Sequence, residues 1–189
     1  MDRLIAIYDS CVLYPAPLRD LLMHLALTDL FQAKWTESIH QEWMKNVLAN
    51  RPDLTLNQLQ RTRELMDKHV RDCIVTEYET LIPTLSLPDS DDHHVLAAAI
   101  YAQASVIVTY NLKDFPIKST SVYGIEAWHP DDFVSYLIDI APGAVYTAIQ
   151  KLRASLKNPI IERKLYLEIL ERQSLPRTVT KLREFSELL

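Results

Sequence analysis

Short apolar runs alternate with helical patterns along this chain, and that alternation constrains the fold more than any other feature. The run Leu4–Tyr8 is typical of a short buried strand, and Val106–Tyr110 is typical of a second one. Between and after them, apolar residues recur at spacings of three and four, as in the stripe Leu18–Leu25. Strands that alternate with helices predict an α/β fold with a central parallel sheet.

The pattern changes at Pro142 and Gly143. Beyond this point helical stretches follow one another and no strand pattern appears. We therefore expect an α/β domain over residues 1–140 and an all-helical C-terminal extension over residues 141–189.

Capping residues and further apolar runs predict other element boundaries. Thr36 or Ser38 is expected to cap one helix, and Ser90 or Asp91 to cap a strongly apolar helix. The stretch Val122–Trp128 is expected to form one more strand.

Four acidic residues lie at the ends or edges of these predicted elements. Asp9 closes the first strand run, and Asp114 follows the second at the same end, while Asp92 opens a helix and Glu42 lies inside another. In an open α/β sheet, ligands bind outside the carboxyl ends of the strands. Four carboxylates meeting there would repel one another unless divalent cations held them, and hard oxygen ligands suit Mg²⁺ or Mn²⁺. The sequence therefore predicts metal-assisted phosphoryl chemistry.

Helical geometry selects Asp92 among its acidic neighbours. Residues three, four and seven positions after it are Val95, Leu96 and Ala99, which places Asp92 on an apolar stripe. The same count from Asp91 gives a mixed face. A role in complementing the helix dipole stays equally open for Asp92 taken alone.

Other classes of site are disfavoured by what the sequence lacks. The only glycines are Gly124 and Gly143, so neither a dinucleotide-binding G-x-G-x-x-G nor a P-loop is present. A haloacid-dehalogenase-like phosphatase would need an aspartate where Cys11 stands, and no cysteine or histidine spacing predicts a zinc site. A receiver domain of two-component signalling stays a distant alternative, because it would lack the apolar helix with its leading aspartate.

The sequence predicts a cytoplasmic protein. No apolar stretch approaches the roughly 18 residues needed for a membrane span, and a strand follows Met1–Arg3 at once, which leaves no room for a signal peptide. Cys11 and Cys73 are far apart in apolar contexts, so we expect reduced thiols.

The net charge of −5 is unevenly distributed. From Lys151 to Arg183, nine lysines and arginines stand against three glutamates, a local excess of +6 that leaves −11 for the remainder. Two interpretations stay open: a partner-binding tail, or a basic helical tail that packs on the chain's own acidic body.

Four segments together resemble the hallmark of the PIN-domain ribonucleases. They are the opening Ile7–Leu13, the stretch Trp35–Trp43, and the segments Asp91–Ile100 and Val106–Pro116. They occur in the family's order over about residues 3–135. Bacterial members of this family include the VapC-type toxins of toxin–antitoxin modules, and the tail resembles, less specifically, the helical extension of a larger PIN subgroup.

The resemblance implies a three-layer α/β/α domain that cleaves RNA phosphodiester bonds as a metal-dependent endoribonuclease, by means of a metal-activated water. The site that it carries over comprises the catalytic and metal-binding Asp9, Glu42, Asp92 and Asp114 and the supporting Ser10, Thr109 and Asn111. The expected cofactor is Mg²⁺ or Mn²⁺, in a number that the sequence leaves open.

The supporting residues have alternative uses. Ser10 would bind a water on the metal or a phosphate, or would cap the next turn. Thr109 would orient Asp114 or a nucleotide phosphate, or would only fill a strand position. Tyr110 stands where many family members have arginine, which leaves the substrate contacts near Asn111 open.

The resemblance also implies partners, namely an RNA substrate, an antitoxin protein and a second copy in a homodimer. The stripe Leu18–Leu25 is a candidate for part of the dimer interface, although covering its own sheet is an equally good use. The expected setting is the toxin of a type II toxin–antitoxin pair. A housekeeping RNA-processing PIN nuclease and a non-catalytic PIN-like binding module are the alternatives.

Overall fold

The structure, a computed structural model, describes residues 4–157 and 160–184. Its strands are β1 (Ile5–Tyr8), β2 (Gln32–Lys34), β3 (Val106–Val108) and β4 (Glu126–Trp128). Its α-helices are α1 (Ser10–Leu13), α2 (Ala16–Ala26), α3 (Glu37–Asn50), α4 (Leu56–His69), α5 (His93–Tyr101), α6 (Ile117–Thr120), α7 (Pro130–Ile140), α8 (Pro142–Ser155), α9 (Arg163–Arg172) and α10 (Pro176–Glu184). Short 3₁₀ turns occupy Glu79–Thr84, Ser90–Asp92, Leu112–Asp114 and Ser121–Tyr123.

The four strands form one parallel sheet in the order β2-β1-β3-β4. In the two central strands Ala6 pairs with Val106 and Tyr8 with Val108, and all four side chains are buried. Strands that are buried on both faces consist of continuous apolar residues, which is why the sequence predicted β1 and β3. The predicted α/β class with a central parallel sheet is confirmed.

The strand order places a topological switch between β1 and β3. From β1 the chain moves to β2 on one side and then returns to β3 on the other side. Such a switch opens a crevice at the carboxyl ends of the two strands, where ligands of α/β proteins bind. Asp9 and Thr109 directly follow β1 and β3, and the Asp9 amide donates to the carbonyl oxygen of Val108 at 3.1 Å.

The chain divides into two compact units. The first comprises the described residues up to Tyr14 together with Phe31–His129, and it contains the whole sheet. The second comprises Pro15–Leu30 together with the described residues from Pro130 onward, and its described elements are all helices. The segment Pro15–Leu30 thus groups with the C-terminal helices, while the division at residue 140 stays a prediction.

Helix α2 is covered within the second unit. It packs against α8 and α9, and its Leu18, Leu21, Leu22 and Leu25 are fully buried. The expectation that this stripe supplies a dimer interface is therefore wrong, because its side chains are already covered in a single chain.

The predicted helix caps are partly confirmed. The Thr36 hydroxyl accepts a hydrogen bond from the amide of Ile39 at 3.1 Å, so Thr36 caps α3 as predicted. The prediction of Ser90 or Asp91 as the second cap is wrong. Instead Asp89 Oδ1 accepts from the Asp91 amide at 2.9 Å, so the cap lies one residue before Ser90 and belongs to the 3₁₀ turn.

The strand predicted at Val122–Trp128 is shorter than expected. Its first residues belong to the 3₁₀ turn Ser121–Tyr123, and Gly124 reverses the chain with a left-handed φ of 70° that glycine adopts without a Cβ penalty. Only Glu126–Trp128 then pair with β3. Within residues 4–157 and 160–184, no helix is both long and apolar enough to cross a membrane.

Candidate active site

Asp9 lies at the carboxyl end of β1 with 2% of its surface exposed. Its Oδ2 accepts hydrogen bonds from the Thr109 hydroxyl at 2.7 Å and from the Cys11 thiol at 3.1 Å. A buried carboxylate requires such partners because burial removes its solvation. Thr109 therefore orients Asp9 and not, as one expectation held, Asp114.

Cys11 belongs to this cluster, and the sequence interpretation missed its role. Its sulfur lies 3.3 Å from the Thr109 hydroxyl oxygen and accepts a hydrogen bond from the amide of Tyr110 at 3.3 Å. The Asn111 amide in turn donates to the Thr109 hydroxyl at 3.0 Å. Burial, and then the charge of Asp9, raises the pKa of the Cys11 thiol to about 12, so the thiol keeps its proton. The contacts of Cys11 and Thr109 tie the ends of β1 and β3 together.

The two cysteines of the chain confirm the expected thiol state. Cys11 and Cys73 are both free, and Cys73 is buried. No disulfide joins these two parts of the first unit.

Asp92 is half-buried at the junction of the 3₁₀ turn Ser90–Asp92 with α5. It occupies the N-cap position of α5, yet its side chain makes no capping hydrogen bond there. The capping is done upstream, by the Asp89 carboxylate. The alternative in which Asp92 complements the helix dipole stays open, because a carboxylate at the N-terminus of α5 needs no hydrogen bond for that effect.

The charges that act on Asp92 come mainly from other aspartates. Burial, followed by the negative charges of Asp9, Asp114 and Asp89, raises the pKa of the Asp92 carboxyl from 3.8 to about 7, against the opposing effect of His94. Burial and like charges both disfavour the ionised form of a carboxyl.

Glu42 contacts a histidine that the sequence interpretation also missed, and this histidine is affected by the charges of Asp9 and Asp92. The Glu42 side chain is 40% exposed, and its Oε1 lies 2.7 Å from Nε2 of His94, whose side chain is 13% exposed. The two groups are in ion-pair contact, although the ring is not aligned for a hydrogen bond. Burial acts to lower the pKa of His94, but the contact with Glu42 and the charges of Asp9 and Asp92 outweigh it and raise that pKa above 6.5.

The helix that carries Glu42 is fixed by a buried network next to it. The Trp43 indole donates to Nδ1 of His40 at 2.9 Å, so the hydrogen of this imidazole is on Nε2, which lies 2.9 Å from Asp67 Oδ1. The same oxygen accepts from the Trp35 indole at 2.8 Å. Burial as the largest cause lowers the pKa of His40, in keeping with a neutral ring. Helix α3 is thus a rigid support for Glu42.

The remaining predicted residues lie at the same edge of the sheet. Asp114 is half-buried at the end of the turn Leu112–Asp114, where its amide donates to the Asn111 carbonyl oxygen at 3.0 Å. Asn111 is exposed. Ser10 is half-buried and opens α1, whose N-terminus has no side-chain cap. The catalytic and supporting roles of these residues stay predictions.

The chemistry of these donors fits a hard divalent cation. Asp9, Asp92 and Asp114 supply carboxylate oxygens, the ligand type that Mg²⁺ and Mn²⁺ take. Burial first, and then the negative charges of Asp9, Asp114 and Asp89, raise the pKa of Asp92, and a bound cation would offset these charges. Among the described residues, no three His, Cys, Asp or Glu side chains are already gathered as a ligand set. Binding therefore requires these side chains to draw together.

Two family models match successive parts of the chain. A family model described as the PIN domain matches residues 6–113, and a model described as the VapC50 C-terminal domain matches residues 130–184. A protein of Mycobacterium tuberculosis named "Putative ribonuclease VapC50" is 48% identical over 58 residues, which are 31% of this chain and 34% of that protein. The chain thus aligns with about a third of the length of this curated relative. No solved structure matches the chain. The PIN match and the all-parallel sheet confirm the predicted three-layer α/β/α class.

Proposed function

Because this chain belongs to the PIN domain family, we propose that it is a Mg²⁺- or Mn²⁺-dependent endoribonuclease, the toxin of a type II toxin–antitoxin pair. One observation carries the proposal. Asp9 follows β1 at the topological switch between β1 and β3, and its charge, with those of Asp114 and Asp89 and after the larger effect of burial, raises the pKa of Asp92. The matches to a VapC50 C-terminal domain and to a protein named as a ribonuclease support the toxin setting.

The carboxylates would hold the cation, and they explain why RNA cleavage would need one. An acidic cluster repels the phosphates of RNA, so Asp9, Glu42, Asp92 and Asp114 accept this substrate only when their charge is compensated. The chemistry that such a cation supplies when bound is stabilisation of charge on the phosphate and a lowered pKa of water.

The other residues of the site keep Asp9 in place and meet the substrate. Thr109 and Cys11 both bond to Oδ2 of Asp9, which fixes the plane of this carboxylate before any ligand arrives. Ser10, at the start of α1, and the exposed Asn111, after β3, would contact the phosphate or ribose of RNA. An antitoxin protein and a second copy of the chain remain the proposed partners.

Cleavage assays test the proposed activity. Purified protein should cut single-stranded RNA with Mg²⁺ or Mn²⁺ and lose that activity in EDTA. Asp9→Asn and Asp92→Asn should each lower the rate by at least about 100-fold, because each removes a proposed cation ligand. Asp91→Asn is the matched control, since Asp91 is exposed beside the same helix and should keep most of the activity.

Activity that survives thorough chelation would contradict the proposed metal dependence. Equal loss in Asp91→Asn would contradict the assignment of Asp92. Induced expression in a bacterial host should arrest growth for the wild type and not for Asp9→Asn, and continued growth with the wild type would favour a housekeeping nuclease.

A further inference from the structure

We infer that His94 is a positioning residue, which holds the Glu42 carboxylate at the aspartate cluster. The effect of His94 on RNA cleavage rests on the proposed function, whereas its contact with Glu42 is observed in the structure. His94 Nε2 and Glu42 Oε1 are 2.7 Å apart, although their residues lie on different helices, α5 and α3.

Glu42 needs an anchor. Its side chain is 40% exposed, and a glutamate loses up to about 2 kcal/mol of rotamer freedom when it is held in one conformation. His94 is its only ion-pair partner within residues 4–157 and 160–184. A solvated glutamate without this contact would occupy several rotamers, and its carboxylate would spend little time at the cluster.

His94 is suited to anchor Glu42 because its own position is fixed. Its ring is 13% exposed and stands on the first turn of α5, two residues after Asp92. The next three residues, Val95–Ala97, are buried, which secures that turn in the core. Because His94 is fixed on α5, its contact with Glu42 holds the Glu42 carboxylate at a defined place relative to this helix.

The adjacent histidine has a different task. His93 Nε2 accepts a hydrogen bond from the Leu87 amide at 3.1 Å, so this ring fixes the loop that precedes α5. Of the two consecutive histidines, only His94 contacts a proposed site carboxylate. The sequence alone did not distinguish them.

Metal binding to purified protein tests the inference without relying on cleavage. Titration calorimetry with Mn²⁺ should show affinity about 10-fold to 100-fold weaker for His94→Leu than for wild type, which is the effect expected when a residue that orients a metal ligand is removed. His94→Gln, which keeps an amide donor near Glu42, should retain more affinity than His94→Leu. His69→Leu is the matched control, because His69 is exposed on α4 and should bind Mn²⁺ as wild type does.

A double-mutant cycle with Glu42→Gln separates positioning from other roles. If His94 acts through Glu42, adding His94→Leu to Glu42→Gln should cause less than about a 2-fold further loss of Mn²⁺ affinity. Fully additive losses would overturn the inference. If His94→Leu melts early, the same cycle run with His94→Gln decides the question. If the wild-type protein binds Mn²⁺ but cleaves no RNA, the proposed function is wrong. The double-mutant cycle would still decide whether His94 positions Glu42, because it measures Mn²⁺ affinity alone.

Discussion

At the scale of single residues, burial and neighbouring negative charges both disfavour ionisation of the Asp92 carboxyl. Its pKa of about 7 means that, without a cation, much of the protein carries a proton on this carboxyl at neutral pH. A cation at the cluster would favour the ionised form and release that proton. The same residue thereby links pH, metal binding and folding stability.

The pH dependence of stability should reveal this carboxyl in metal-free protein. The folded pKa of about 7 lies above the ordinary aspartate value of 3.8, so the folded state binds more protons than the unfolded state between these values. The stability contributed by the protonated group is present below pH 4 and is lost as pH rises through about 7. Urea unfolding of wild type from pH 4 to 8 should show this loss, and Asp92→Asn should flatten it. Asp91→Asn, at an exposed position, should follow wild type, and an unchanged slope in Asp92→Asn would contradict the prediction.

The two residues that sequence reasoning missed at the site have a common explanation. Cys11 contacts Asp9 and Thr109, and His94 contacts Glu42 from another helix. The contacts of Cys11 with Thr109 and of His94 with Glu42 join segments that are remote in sequence, and neither residue stands in a spacing typical of a ligand set. Asp9, Asp92 and Asp114 were accessible to prediction because each lies near an element end that the apolar pattern marks, whereas Glu42 lies inside α3 and the family resemblance pointed to it.

At the scale of elements, the sequence predicted the strands and caps that local patterns determine. It missed the strand that forms only because it pairs with a neighbour. β1 and β3 are continuous apolar runs, and Thr36 is a local cap. β2 was not predicted, because only Ala33 of its three residues is buried and its strand state comes from pairing with β1. The left-handed Gly124 similarly shortened the last strand in a way that β propensity does not indicate.

The junction of α7 and α10 offers a prediction at this scale. Asp131 on α7 is 5% exposed, and its carboxylate accepts from the amides of Arg177 at 2.9 Å and Thr178 at 2.8 Å. It therefore caps α10 from another helix. Asp131→Ala should cost about 1–3 kcal/mol of unfolding free energy, because the buried amide of Thr178 and the part-buried amide of Arg177 lose their acceptor. Asp132→Ala is the matched control: it removes only the ion pair with the exposed Arg177 and should cost less than about 1 kcal/mol. Equal costs in denaturant unfolding would contradict the capping role.

At the scale of the whole molecule, part of the basic excess of the tail is used inside the helical unit. Arg177 pairs with Asp132, and Lys181 lies 2.6 Å from Asp139, both of which are carboxylates of α7. A third cation, Arg183, pairs with Glu171 at 2.9 Å. These contacts favour the interpretation in which the tail packs on acidic partners of its own chain, and they leave fewer cations for RNA.

Truncation after Ile140 should therefore disrupt folding and not merely RNA binding. It removes α8 and α9, against which α2 packs, and so uncovers the stripe Leu18–Leu25. Burial of each of its four leucines contributes about 1.5–3 kcal/mol, so their sum of roughly 6–12 kcal/mol rivals the 5–15 kcal/mol of a whole domain. The truncated protein should aggregate or melt far below wild type in differential scanning fluorimetry.

A charge variant separates this structural role from RNA guidance. Lys151→Gln combined with Lys164→Gln removes two exposed cations of the helical unit without uncovering apolar surface, so it should melt as wild type does. If these cations guide RNA, the double variant should bind RNA more weakly. The slope of log affinity against log salt concentration should also become shallower, by the equivalent of up to about two phosphate contacts. If the slope of affinity against salt does not change, these two cations do not contact RNA, and packing is the role of the helical unit that remains. A truncated protein that melts like the full chain would contradict the grouping of α2 with the C-terminal helices, since the leucines would then have to be covered by something other than α8 and α9.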